Sequence, residues 1–256
     1  MKFILVIYSL SLYSLGIFCQ SSQSPDDLYR DFQDNDWTRV YIAKSGLENL
    51  QVKSMHKVIE LLDNDKSNKL INTGDLIYPG ADKFYGHGQI INYDIDNLDI
   101  RAGWLLEQLT FQNFGFSLIH DNDENIPLHL KNYFPEIYKN LQADNSISSL
   151  SVDALRSELK EQCILKAKKW YNSQKNWTRF DALKEALTCD DTKRQVDALL
   201  YLRTSTTKCD ELSPEKYRRE ILPLLKPLAH SSAKRVSEQA KFILNDGGTE
   251  FLIMKQ

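Results

Sequence analysis

A histidine between two glycines is the clearest candidate for chemistry in this chain. In Gly86-His87-Gly88 the flanking glycines leave an imidazole accessible, and four aspartates lie near it in sequence. These are Asp75, Asp82, Asp94 and Asp96. An imidazole beside carboxylates can act as a general base. A hydrolase that uses His87 with Asp75, Asp82 and Asp94 is therefore one catalytic alternative.

The same residues do not follow a known metal-binding pattern. The sequence has no HExxH or paired-cysteine motif, and the next histidine after His87 is His120. Asp121 to Asn125 begins like a calcium loop, but Ile126 stands where glycine is required. Phosphate-binding and dinucleotide-binding glycine motifs are also missing. We expect neither metal nor cofactor, and the simpler interpretation of His87 is a hydrogen-bonded loop histidine.

Aromatic residues around His87 suggest a binding surface instead of a reaction centre. Residues 71–97 form a predicted loop insert between helices, and its aromatic residues are Tyr78, Phe84, Tyr85 and Tyr93. Long ordered loops in compact domains usually serve a function. Exposed aromatic rings would mark an interface, with His87 beside them. The alternative is that these rings fold inward over Trp104 and close the core.

The helix after the insert must position it. Residues 98–113 carry Leu98, Ala102, Leu105, Leu106 and Leu109 on one stripe, with Trp104 and Phe111 on the other flank. A helix that is apolar on most sides is a buried one. Arg101 and Glu107 are then charges on a buried helix and need partners. We predict a structural hydrogen-bond network to the insert that involves Arg101, Trp104 and Glu107.

Helical periodicity dominates the rest of the chain. Apolar residues recur near every 3.6 positions over residues 46–63, 134–143 and 151–172, with Ser151 as a predicted cap. Only Leu76-Ile77-Tyr78 and Gln89-Ile90-Ile91 look extended. The fold class is predicted to be all-α, as one helical domain over residues 27–246.

The last third repeats itself when the sequence is shifted by 41 residues. The shift superposes Leu183 on Leu224, Leu187 on Leu228, Asp190-Asp191 on Ser231-Ser232, Lys193-Arg194 on Lys234-Arg235, Asp197 on Glu238, Tyr201 on Phe242 and Leu202 on Ile243. Residues 176–246 therefore resemble two HEAT-like repeats, which have a period of about 40–47 residues. The resemblance implies an α-solenoid of antiparallel helix pairs that binds macromolecules and has no chemistry of its own.

The N-terminus resembles a secretory signal peptide. A basic start at Lys2 precedes an uncharged run from Phe3 to Phe18, which is shorter than the ~20 residues that span a bilayer. Residues 1–19 are the predicted signal, with cleavage at 19–21. We expect a periplasmic or secreted protein without stable membrane insertion, while a lipid anchor at Cys19 stays an alternative. Of the remaining cysteines, Cys163, Cys189 and Cys209, either one pair forms a disulfide or all three are thiols.

Charge excludes some partners. The formal net charge of −3 gives no basic excess for nucleic acid. Together these features favour an exported, non-catalytic helical protein that binds another protein, with a role similar to that of immunity or adaptor proteins in bacterial envelopes. The competing hypothesis is an envelope hydrolase that uses His87.

Overall fold

A computed structural model describes residues 23–81, 88–143, 150–174 and 176–245 of the chain. These residues are mostly helical and contain only two short strands, so the predicted all-α class is confirmed. No helix within these ranges is long and apolar enough to cross a bilayer. The predicted signal peptide, with Cys19, lies outside the described residues.

Three helices precede the insert: α1 (Pro25–Phe32), α2 (Trp37–Leu50) and α3 (Val52–Leu61). The single helix predicted over residues 46–63 is wrong, because the backbone breaks at Gln51, where φ is 50°. Residues other than glycine rarely adopt a positive φ, and this backbone conformation ends the α-helix. Asp36 caps α2 by accepting the N–H groups of Thr38 and Arg39 at 2.8 and 3.4 Å.

The insert contains β1 (Leu76–Ile77) and β2 (Gln89–Ile90), which pair in parallel with Leu76 opposite Gln89. Both segments were expected to be extended, and both are. Isolated bridges join Asp36 to Ile71 and Ser67 to Asn97, close to the two ends of the insert. The insert is thus fastened to the helices at its start and at its finish.

Helix α4 (Leu98–Thr110) lies at the centre of the fold, with all its residues buried except Gln108. Its apolar surface on most sides predicted this burial. The helix ends at Thr110 instead of residue 113, because Phe111 adopts a left-handed conformation with φ 51°. Gly103 allows the ring of Phe116 to pack directly against the helix backbone, since a Cβ there would meet that ring at 2.3 Å.

Two short 3₁₀ turns, Phe116–Leu118 and Asp123–Asn125, lead to α5 (Ile126–Tyr133), α6 (Pro135–Ala143) and α7 (Val152–Ser173). Ser151 caps α7, as predicted, by accepting the N–H of Ala154 at 3.2 Å. Helix α5 packs on α6 and α7. In the calcium-like loop, Asp121 accepts hydrogen bonds from Asn122 and Asn125, and Asp123 pairs with Arg156 at 2.6 Å.

The C-terminal part consists of α8 (Arg179–Thr188), α9 (Thr192–Thr204), α10 (Pro214–Lys216), a π-helical turn (Tyr217–Ile221), α11 (Leu222–Leu228) and α12 (Lys234–Asn245). Asp191 caps α9 by accepting the N–H groups of Lys193 and Arg194, and Ser213 caps α10 by accepting the N–H of Lys216. The π turn immediately precedes α11, in which Pro223 has no N–H to donate to the preceding turn. Helix α9 packs on α8 and α12, and α11 packs on α8 and α12.

Buried side chains form two hydrophobic clusters. The first includes α4 and extends from Leu28 to Ala167. The second lies among α8, α9, the π turn, α11 and α12, and it also contains Phe111. The ring of Phe111 contacts that of Tyr201 edge to face, with centroids 5.2 Å apart. The residue that terminates α4 therefore inserts into the C-terminal cluster and joins it to the central helix.

The cysteines in the described ranges are thiols. Cys163 and Cys209 are buried, Cys189 is partly buried, and none forms a disulfide. Burial raises the pKa of Cys209 to about 12 and also raises that of Cys163, so neither forms a thiolate at neutral pH. Of the two alternatives left open by the sequence, the structure shows unpaired thiols.

Candidate functional site

The residues proposed for binding fall into two groups. Phe84, Tyr85 and His87 lie outside the described residues, as does Asp82 of the catalytic alternative. Tyr78 and Tyr93 are 5% and 8% exposed and belong to the first hydrophobic cluster. These two rings therefore pack inward and contribute to the core, not to an exposed aromatic surface. Each has an apolar ring to bury and a hydroxyl that finds an acceptor inside.

Asp96 fastens the base of the insert. Its carboxylate accepts hydrogen bonds from the Tyr78 hydroxyl at 2.9 Å and the backbone N–H of Leu70 at 2.8 Å. It also pairs with Lys69 at 3.2 Å, and the Lys69 ammonium donates to the carbonyl of Gly80. Asp96 is 5% exposed, so these contacts replace its lost hydration. The polypeptide on both sides of residues 82–87 is thus tied to one carboxylate.

Gly80 makes room for two acidic side chains. A Cβ at this position would meet a carboxylate oxygen of Asp94 at 2.5 Å and one of Asp96 at 2.6 Å. Both carboxylates thus approach the backbone at the same point, where no side chain larger than hydrogen fits. This close approach explains why residue 80 of the insert is a glycine.

Asp94 contacts a histidine that is distant in sequence. Its carboxylate accepts from the Asn97 amide at 2.8 Å and lies 3.5 Å from Nε2 of His120. Burial raises the pKa of Asp94, with His120 opposing and Asp96 adding to the rise. Burial likewise lowers the pKa of His120, while Asp94 opposes this and Arg156 strengthens it. Asp75 is exposed, and among the described residues its side chain forms no hydrogen bond or ion pair with Asp94, so the structure does not join these two catalytic candidates directly.

The lowered pKa of His120 gives a pH prediction. As the pH falls below about 6.5, the unfolded chain binds a proton at this histidine before the folded chain does, so folding stability decreases. We expect His120→Gln to lose less stability than the wild type between pH 7.5 and pH 6, as measured by urea unfolding. The contribution of Asp94 to stability depends on pH in the opposite direction. Because its pKa is raised in the folded chain, stability is lost as the pH rises through that pKa, and this occurs at lower pH.

His56 provides the control for this measurement. Its side chain is 73% exposed on α3 and it lies beside Glu60. The variant His56→Gln replaces an exposed histidine and leaves the contact between Asp94 and His120 in place. Equal slopes for His120→Gln and the wild type would contradict the assigned environment of His120.

Arg101 joins the insert to the first helices. It is 0% exposed, and its guanidinium donates to the backbone carbonyls of Ile95 at 2.6 Å, Phe32 at 2.8 Å and Asp34 at 2.9 Å. Burial lowers the pKa of Arg101 to about 10, so the group is still a cation at neutral pH. A planar guanidinium carries five N–H donors on three nitrogens and can reach carbonyls that lie apart, whereas a lysine ammonium has three donors on one nitrogen. The sequence predicted that Arg101 needs partners; these partners are main-chain carbonyls at the insert and at the α1–α2 turn.

Trp104 packs against the insert. Its ring lies 6.2 Å from that of Tyr93 and 6.4 Å from that of Trp37, and the Lys44 ammonium lies 4.5 Å above it. Such a cation–π contact stabilises most when it is removed from water, and Lys44 is 6% exposed. Trp104 therefore connects α2 to the insert, with its ring stacked on that of Trp37 and tilted against that of Tyr93.

Glu107 accepts five hydrogen bonds or ion-pair contacts from three parts of the chain. One oxygen accepts the N–H groups of Phe114, Gly115 and Phe116 at 2.8, 2.8 and 3.3 Å. The other accepts from the Tyr93 hydroxyl at 2.6 Å and from Lys193 at 3.0 Å. Burial and the Glu107 carboxylate hold the pKa of Tyr93 well above its usual value.

Arg179 is a buried cation that sequence reasoning did not single out. It lies at the junction of the two hydrophobic clusters and donates to Thr207 at 3.1 Å and to the carbonyl of Lys208 at 2.9 Å, with its guanidinium 4.5 Å from the Tyr201 ring. Burial alone would raise the pKa of the nearby Glu48, but Lys44 and Arg179 lower it. An arginine at the start of an amphipathic helix reads as solvent-exposed in sequence, so no local signal identified it.

No group of three or more histidine, cysteine, aspartate or glutamate side chains in the described ranges is arranged to hold a metal ion. A recess of about 310 Å³ is lined by Lys131, Pro135, Tyr138, Lys139 and Gln142. None of these lining residues belongs to the insert, so this recess offers no cleft for Asp94.

An exposed apolar surface begins at the edge of the insert. We name Trp37, Tyr41 and Ile71 the α2 patch. The rings of Trp37 and Tyr41 are 5.5 Å apart, and the N–H of Trp37 donates to the carbonyl of Ile71 at 3.1 Å. Tyr41 is 46% exposed and Ile71 is 51% exposed. Ile90, on β2, is 69% exposed. Apolar side chains on α2 and at residues 71 and 90 of the insert therefore face solvent, whereas Tyr78 and Tyr93 of the insert are buried.

Comparison with models of protein families, with curated proteins and with solved structures returned no match.

Proposed function

We propose that this chain is a non-catalytic scaffold that binds another protein through the insert (residues 71–97) and the α2 patch. The proposal includes Phe84, Tyr85 and His87 by their place in the sequence. Its setting is the periplasm or the extracellular space, after removal of the N-terminal signal.

One observation supports this function most: the base of the insert is rigidly fastened while apolar side chains at its edge are left in water. The backbone and side chains of the insert and its neighbours form hydrogen bonds with Asp96, Arg101 and Glu107. A pre-organised surface loses little entropy on binding. Clustered exposed apolar groups such as Tyr41 and Ile71 favour contact with a protein surface.

The C-terminal helices support the HEAT-like part of the proposal. Helix α8 packs on α9, α11 packs on α12, and α9 packs on α12, so the two sequence repeats lie side by side. In sequence, Lys193 aligns with Lys234 and Tyr201 with Phe242, although Tyr201 is buried and Phe242 is 42% exposed. Arrays of this type present extended surfaces to other macromolecules. An immunity-like or adaptor-like role is our sharper proposal and rests on analogy at the level of fold.

Quantitative co-purification of the tagged protein from its host tests this function. We expect one partner at a fixed ratio to the bait. Tyr41→Ala with Ile71→Ala, and separately Phe84→Ala with Tyr85→Ala, should reduce that partner at least about tenfold, since apolar anchors carry most of the affinity at an interface.

Two controls make the result specific. Leu128→Ala removes an equally exposed apolar side chain, 50% exposed, from α5, and it should leave the yield unchanged. His87→Ala should also keep the partner, because the proposed role of this segment is contact and not catalysis. A partner retained by both double variants, or lost equally in the Leu128 variant, would contradict the proposed surface.

A further inference from the structure

Three separate parts of the fold meet at the carboxylate of Glu107. The donors to this carboxylate are Tyr93 at the end of the insert, the N–H groups of residues 114–116 in the turn after α4, and Lys193 in the first turn of α9. These groups are far apart in sequence. The end of the insert and the first turn of α9 therefore share one acceptor, the Glu107 carboxylate.

The environment of Glu107 makes these contacts dependent on one another. Its side chain is 1% exposed, so a contact that is lost is not simply replaced by bulk water. Removing one partner of a buried charge leaves that charge poorly compensated and alters the remaining hydrogen bonds. The oxygen shared by Tyr93 and Lys193 is therefore sensitive to either donor.

Lys193 has a second acceptor. Its ammonium lies 2.8 Å from Asp197 on the same helix and 3.0 Å from Glu107, and its side chain is 27% exposed. Although burial alone would lower the pKa of Lys193, Glu107 raises it above the ordinary value, with Tyr93 and Asp197 adding to the rise. The ammonium therefore bridges Glu107 on α4 and Asp197 on α9, so one cation joins the two helices.

We infer that Glu107 couples the insert to the C-terminal helices, so that a change at Tyr93 alters how firmly α9 is held, and a change at Lys193 alters how firmly the insert is held. The coupling is a property of the free chain and does not depend on the proposed function. It would let occupancy of the insert be sensed at α9, since energetic coupling between two sites acts in both directions.

Hydrogen exchange of the full chain tests the inference. Tyr93→Phe removes one hydroxyl and keeps the ring. We expect it to raise exchange of α9 amides (192–204) at least about threefold, although Tyr93 lies on the insert. Lys193→Met should raise exchange of amides 88–93 by a similar factor. In the double variant each increase should be smaller than the product of the two single increases, because both substitutions break the same network.

Matched variants separate coupling from general loss of stability. Lys184→Met removes a cation that pairs with Asp181 and Glu220 within the C-terminal helices, and it should not affect amides 88–93. Amides of α5 and α6 serve as the internal reference. Glu107→Gln, which keeps the shape and removes the charge, should raise exchange in both segments at once. Effects confined to the mutated segment, multiplicative single effects, or a uniform rise that includes α5 and α6 would each overturn the inference.

Discussion

Arg101→Met is expected to destabilise the protein by about 3–5 kcal/mol, because it leaves three buried carbonyls without their donor. The carbonyls belong to Phe32, Asp34 and Ile95, all within 2.9 Å of the guanidinium. Methionine fills much of the volume but donates no hydrogen bond. Urea unfolding at pH 7 measures the change in the free energy of unfolding.

Two variants calibrate that result. Arg101→Lys keeps the charge but lacks the planar guanidinium that reaches all three carbonyls. Its free energy of unfolding should therefore lie between those of the wild type and Arg101→Met. Arg39→Met removes an exposed arginine that pairs with Asp34 at 2.8 Å, and because water screens this ion pair we expect a much smaller loss of stability. If Arg101→Met lost no more stability than Arg39→Met, the hydrogen bonds of Arg101 would not join the insert to the first helices as described above.

Gly103→Ala is expected to destabilise the protein by about 1–3 kcal/mol, even though alanine favours helix by roughly 1 kcal/mol. The added Cβ would lie 2.3–2.5 Å from three ring carbons of Phe116. That ring is fully buried, and the backbone N–H of Phe116 is held by Glu107, so neither ring nor turn can move freely. Thermal and urea unfolding measure the effect.

Gly46 on α2 is the matched control. A Cβ there would meet side-chain carbons of Leu28 at 2.6 and 2.9 Å, and the end of a leucine side chain can rotate away. Gly46→Ala should therefore be less harmful than Gly103→Ala for the same gain in helix propensity. Phe116→Leu should restore part of the stability of Gly103→Ala, and no restoration would show that the ring is not the obstacle.

The sequence carried enough information to predict the local parts of the fold. The cap at Ser151, the extended segments of the insert and the burial of α4 all followed from propensity and periodicity. These features are set by residues within a few positions of one another. The break at Gln51 was missed because the apolar pattern continues across it, and a positive φ at glutamine leaves no mark in composition.

The candidate site could be predicted only in part, because its contacts are long-range. The sequence indicated that Arg101 and Glu107 need partners, but nothing in their spacing named the carbonyl of Phe32 or the ammonium of Lys193. His120 beside Asp94 and the buried Arg179 likewise depend on how distant segments pack. The binding hypothesis for Tyr78 and Tyr93 treated them as surface aromatics, whereas their hydroxyls find acidic partners inside the protein.

Site-specific photocrosslinking in the native host tests most directly whether the surface beside the insert contacts a protein. A benzophenone amino acid would replace Tyr41 in one variant and Leu128 in another, since the two side chains are 46% and 50% exposed. We predict one discrete protein adduct from position 41, with none from position 128. The absence of an adduct at position 41, or the same adducts from both positions, would contradict a protein-binding scaffold organised around residues 71–97.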